Sequence, residues 1–103
     1  MGKKKYDNVV IGIGYYRREE WERFVATACD RDKIEDTYDE WLRNFRKAVK
    51  DMRAVGLEPR KVIFTLDELL AYCKSKCLKN NAEARAEFFS ELTRKGRTED
   101  IKN

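Results

Sequence analysis

The chain contains no histidine. Without an imidazole there is no Ser-His-Asp or Cys-His nucleophile, no histidine acid–base step and no metal site that needs a ring nitrogen. Proline occurs once and glycine five times in 103 residues, which excludes collagen-like and low-complexity classes. Cysteine occurs three times, an odd number that cannot pair completely within one chain. No apolar run approaches the roughly 20 residues that span a bilayer. After Lys3, Lys4 and Lys5, the apolar stretch from Asn8 to Gly14 is only seven residues long. It is too short for the core of a secretion signal, and no small-residue cleavage site accompanies it. Gly2 invites myristoylation, but Tyr6 stands where that signal needs Ser or Thr. Reduced thiols in a cytoplasmic protein, away from any membrane, are the expectation.

What is present argues for one folded core. Five Tyr, five Phe and two Trp oppose disorder, and the length suits a single domain. The formal charge is +4 and the pI about 9.0, but the charge is unevenly placed. Lys3, Lys4 and Lys5 lie at one end, with Arg94, Lys95, Arg97 and Lys102 at the other. Residues 6–92 hold 16 Lys or Arg against 17 Asp or Glu, so the body is close to neutral. Residues 1–7 read as a basic tail, 8–95 as a single α/β domain and 96–103 as a frayed polar end.

Hydrophobic spacing predicts the order β-α-α-β-α-α, helix-rich, with two short parallel strands and one long central helix. Val9-Val10-Ile11-Gly12-Ile13 reads as a buried strand. Trp21, Phe24, Val25, Ala28 and Cys29 make the apolar face of a first helix from Arg18 to Cys29. Ile34, Tyr38, Trp41, Leu42, Phe45, Val49, Met52 and Val55 form a stripe over about six turns. With Asp32 and Glu35 as a capping box, a helix from Lys33 to Val55 would be ~34 Å long and end on Gly56. Its carboxylates cluster in the first half, and Arg46, Lys47, Lys50 and Arg53 in the second, as the helix dipole favours.

After Pro59, Lys61-Val62-Ile63-Phe64 reads as a second strand. Thr65 and Glu68 cap a third helix whose face is Leu66, Leu69, Leu70, Cys73 and Cys77. A fourth runs from Ala82 to about Lys95 and stops at Gly96. The string Glu19-Glu20-Trp21, Phe24-Val25, Cys29 matches Asp67-Glu68-Leu69, Tyr72-Cys73, Cys77 at an offset of 48, which favours two strands side by side and parallel.

Three clusters are candidates for chemistry. Gly12 and Gly14, with Arg17 and Arg18 beyond them, sit where a strand meets a helix and could cradle an anion. The dinucleotide fingerprint needs a third glycine where Arg17 stands, so close packing at Gly12 and a tight turn at Gly14 are expected instead. Cys29, Cys73 and Cys77 could offer three thiolates to zinc, yet they fall at apolar positions and read as core thiols. Asp30, Asp32 and Asp36 could hold a cation, but Arg31 and Lys33 intervene and helix capping explains them. No catalytic residue, metal ligand or cofactor is assigned.

Trp21-x-x-Phe24, Asp30-Arg31-Asp32-Lys33, Asp36-Thr37-Tyr38-x-x-Trp41 and Val62 with Asp67-Glu68-Leu69 and Tyr72-Cys73 together resemble a group of small bacterial proteins of unassigned function. The resemblance covers about residues 8–92 and implies a compact bacterial cytosolic domain, with no site residues to carry over. The expected function is a non-enzymatic interaction or accessory domain that self-associates, as a homodimer, through open strand edges or the long helix. A regulator that binds nucleic acid through its basic ends is the alternative, although no nucleic-acid motif accompanies them. A ligand-binding or enzymatic turn at Gly14–Arg18 with Asp30 or Asp32 nearby is the third reading.

Overall fold

Val10–Gly14 forms strand β1, which lies parallel to strand β2, Glu58–Val62. The register pairs Val10 with Glu58 and Gly14 with Val62, so the strands are offset by the same 48 residues as the sequence string. The offset continues beyond the sheet: Arg17 and Thr65 both stand at N-caps, and Trp21 and Leu69 are both buried. The computed structural model describes residues 8–102, and the expected basic tail 1–7 lies outside the described residues.

The molecule is helix-rich α/β, but its sheet has three strands rather than two. Thr98–Asp100, within the segment expected to fray, forms β3 and pairs antiparallel with β2 in the order β1-β2-β3. Local propensity does not explain this strand; partners on β2 do. The Arg60 guanidinium donates to the Thr98 hydroxyl at 2.8 Å and pairs with Asp100. Lys61 lies 3.9 Å from Glu99, and the Ile63 N–H donates to the Arg97 carbonyl at 3.0 Å. Opposite charges facing each other across the ladder are the stabilising unit.

Strand β2 also begins earlier than its apolar run suggests and contains Pro59. The Glu58 N–H donates to Val9 on the β1 side, so the neighbouring proline nitrogen faces the other edge. Pairing with β3 starts only at Arg60, and the missing Pro59 N–H therefore leaves no ladder bond unmade.

The first helical segment is a 3-10 turn, Arg18–Glu20, followed by α1, Trp21–Thr27. The central helix α2 is shorter than its stripe implies, Tyr38–Ala54, 17 residues or about 26 Å. Asp32 and Glu35 do not start it. Arg31–Lys33 forms a 3-10 turn, and the Arg31 guanidinium donates to the carbonyls of Ile34 and Glu35 at 3.1 Å each and of Asp36 at 3.3 Å. Those carbonyls are held in an irregular path, and Thr37 caps α2 by accepting from the Glu40 N–H. Helix α3, Leu66–Ser75, opens on the expected Thr65–Glu68 capping box, and α4, Ala82–Arg94, is capped by Asn81.

Helices α2, α3 and α4 end the same way. The Leu57 N–H reaches the Met52 carbonyl at 3.0 Å, Leu78 reaches Cys73 at 2.8 Å and Arg97 reaches Leu92 at 2.9 Å. The residue before each donor adopts the left-handed conformation that this cap requires. Gly56 and Gly96 do so with φ of 92° and 81°, but at α3 the position is taken by Cys77 with φ of 56°. Cys77 is therefore outside the helix and exposed, not on its apolar face as the spacing suggested.

Alternation along the strands places α4 against one face of the sheet and α2 against the other. Gly12 and Gly14 face Thr93 and Phe89 of α4, while Lys61 and the Tyr15 ring face α2. The main core joins Trp21, Phe24, Tyr38, Val62, Phe64, Leu66, Leu69, Phe88 and Leu92.

Candidate functional site

The strand–helix turn is built tightly around its glycines. A Cβ on Gly12 would fall 1.8 Å from the Thr93 hydroxyl oxygen, and one on Gly14 would fall 2.2 Å from the Phe89 ring. Both positions thus admit α4 onto the sheet. The arginines after the turn meet carboxylates of the same molecule. Arg17 pairs with Glu20 at 3.2 Å and lies 3.8 Å from Glu19; Arg18 pairs with Asp39 at 2.6 Å. The Glu20 carboxylate also accepts from the Leu66 N–H at the start of α3, at 3.3 Å from each oxygen. Across a shallow cavity of about 250 Å³, Arg97 pairs with Glu68 at 3.1 Å. The positive groups near this helix end are matched by internal anions.

Asp30 enters a buried cluster. The Arg85 guanidinium donates to both its oxygens, at 3.0 and 2.7 Å, and to the Asn80 side-chain oxygen at 3.0 Å. Those Arg85 hydrogen bonds hold the Asp30 carboxyl below its ordinary range. Tyr16 lies nearby, and burial pushes its phenol well above the usual value. Tyr38 donates to the Tyr16 carbonyl at 2.8 Å and is pushed up to about 12, chiefly by burial. Both phenols stay protonated at neutral pH. Asp32 and Asp36 remain on the surface, and among the described residues no group of three or more His, Cys, Asp or Glu could hold a metal ion. The three thiols are free: Cys29 and Cys77 are exposed, and Cys73 is buried, which pushes its thiol up.

A larger cleft, about 750 Å³, opens between α2 and β3. Tyr15, Leu42, Phe45, Val49 and Ile101 supply its apolar surface, with Phe45 and Val49 almost fully buried. Around it stand Arg46, Lys50, Arg53, Lys61 and Lys102, with the carboxylates Glu99 and Asp100. Leu42, Phe45, Arg46, Val49, Lys50 and Arg53 share one helical face, whereas Lys47 falls outside the cleft and pairs with Asp51 at 2.8 Å. Read along the sequence, the basic half of α2 is accounted for by the helix dipole. The second wall of the cleft is the strand that was expected to fray. The one usable signal was the spacing of Arg46, Lys50 and Arg53 on the same face as Phe45 and Val49.

The edges of the sheet differ in character. β1 carries the uncharged sequence Val-Ile-Gly-Ile-Gly and, among the described residues, pairs only with β2. Val9 and Val10 at its start are 54% and 47% exposed. The opposite edge, β3, is three residues long and carries Glu99 and Asp100. No described helix is long and apolar enough to cross a membrane. In comparisons with known proteins, no family model, no curated protein and no solved structure matches this chain.

Proposed function

We propose that this protein is a non-enzymatic interaction domain of the bacterial cytosol that associates with itself through the edge of β1 that is unpaired among the described residues. The bacterial cytosol is taken from the resemblance to small bacterial proteins and from the reduced thiols. The observation that carries the reading is the asymmetry of the sheet. An exposed edge is ordinarily blunted by charge, proline or shortness, because its unpaired N–H and C=O groups template further pairing. β3 is blunted in this way by Glu99, Asp100 and its length of three residues. β1 has five residues, no charge and no proline, and it begins beside two exposed valines. A second copy laid antiparallel along β1 would satisfy both edges at once and give a two-fold dimer. The groups at the strand–helix turn are meanwhile engaged in packing and ion pairs, which supports a binding role over a reactive one.

Light scattering on the purified chain tests this, with an expected mass of twice 12.3 kDa. Val10→Lys together with Ile11→Lys places charge on the edge and should return the monomer mass with an unchanged circular dichroism spectrum. A wild-type chain of monomer mass at high concentration would refute the reading. So would a double variant that stays dimeric.

A further inference from the structure

We propose that the cleft between α2 and β3 binds an amphipathic anion, a small molecule with an apolar body and one negatively charged head such as a medium-chain carboxylate. This binding site is separate from the β1 edge and does not depend on it. Its volume, about 750 Å³, lies within the roughly 300–1,000 Å³ typical of small-molecule sites. The half-buried Tyr15, Leu42 and Ile101 form an apolar floor backed by the almost fully buried Phe45 and Val49, and the Tyr15 ring stands edge-on to Phe45 at 5.2 Å between centroids.

Charge around the floor selects the sign of the head group. Asp100 is taken by Arg60 on β2, and Glu99 is approached by Lys61 at 3.9 Å. Arg53 donates to the Ile101 carbonyl at 3.0 Å and so ties the two walls together at one end. Arg46, Lys50 and Lys102 remain. Arg46 and Lys50 stand four residues apart on the helical face of Leu42, Phe45 and Val49, and among the described residues none of the three has a carboxylate at ion-pair distance. Three cations beside an apolar surface complement a ligand that is anionic at one end and hydrophobic along the rest. A purely ionic ligand would leave the floor uncovered. An uncharged apolar one would leave the cations unmatched.

Trp41 offers a readout because its ring lies 5.6 Å from Tyr15 and 5.3 Å from Phe45. The full chain is titrated with decanoate below its micellar range, by Trp fluorescence and by calorimetry, with decanol and acetate in parallel. Decanoate should bind, decanol about tenfold more weakly for want of the charge-assisted contact, and acetate not measurably. Arg46→Glu with Lys50→Glu changes only exposed side chains and should raise the decanoate dissociation constant by about tenfold or more. Lys47→Glu, on the same helix but outside the cleft, should leave it within about twofold, because exposed charges are screened. Amide chemical-shift changes should gather at Leu42, Phe45, Val49 and Ile101. Equal affinity for decanol and decanoate would overturn the proposal. So would unchanged binding in the double variant, or shift changes confined to Val9 and Val10.

Discussion

Arg85 and Asp30, 55 residues apart, form a two-pronged ion pair in which both side chains are about nine-tenths buried. It fastens α4 to the segment between α1 and α2. Asn80 completes it by accepting from Arg85 and donating to the Thr27 hydroxyl at 3.4 Å. Removing the carboxylate strands a guanidinium in the interior. Asp30→Ala should therefore destabilise the protein by about 3–5 kcal/mol. Urea denaturation measures the loss, and a change below 1 kcal/mol would show that the pair contributes little.

The same pair gives stability an acid limit. Hydrogen bonds from Arg85 lower the Asp30 carboxyl and those from Arg97 lower Glu68, so the unfolded chain binds protons to these groups at higher pH than the native one. Their contribution is present above the unfolded values near 4 and disappears as pH falls through the depressed folded values. At the alkaline end the sign reverses. Tyr16 and Tyr38 are raised, so their contribution is full below about 10, the unfolded phenol value, and is lost as pH climbs. Denaturation midpoints should form a plateau with both flanks. Asp30→Asn should reduce the acid flank to the share of Glu68 and make the alkaline one shallower, because the Asp30 carboxylate helps to raise the Tyr16 phenol.

Gly14 is required for the room it leaves. The Phe89 ring occupies the space a methyl would fill, and a shift of that ring disturbs its contacts with Phe64, Phe88 and Tyr16. Gly14→Ala should cost about 1–3 kcal/mol through overpacking. Its measure is a lowered melting temperature with the spectrum of the fold retained.

Cys77 is the opposite case, a residue where glycine would serve better. At φ of 56° it closes α3 in the position that Gly56 and Gly96 hold on α2 and α4. Left-handed backbone costs a non-glycine residue about 1–2 kcal/mol, partly offset by the greater chain entropy that glycine gives up on folding. Cys77→Gly should raise stability by about 0.5–1 kcal/mol, read as a higher thermal midpoint. Cys29→Gly, at an exposed position without positive φ, should not.

Much of the fold was legible because its determinants are local. The Thr65–Glu68 box and the glycines after α2 and α4 each depend on residues close in sequence, and the parallel offset of the two strands left its mark as a similar string 48 residues on. The start of α2 was not legible. Asp32 and Glu35 have the spacing of a cap, but Arg31 claims the carbonyls around them. Strand β3 was hidden for a related reason, because Thr98-Glu99-Asp100 becomes a strand only opposite Arg60 and Lys61. The cleft followed it into obscurity. One of its walls belongs to residues whose order depends on partners some 40 positions earlier.

The reversed direction of β3 has a further meaning for architecture. A chain of strand–helix–helix units that kept adding parallel strands beyond β2 could lengthen its sheet indefinitely, unit after unit. Here the second unit returns antiparallel, short and acidic, so elongation on that side is arrested by the chain itself. Among the described residues the β1 edge is the one left for growth, and under the proposed self-association a partner strand laid on it would use it up. Two protomers would then be a ceiling set by topology, with no separate device needed to prevent fibres.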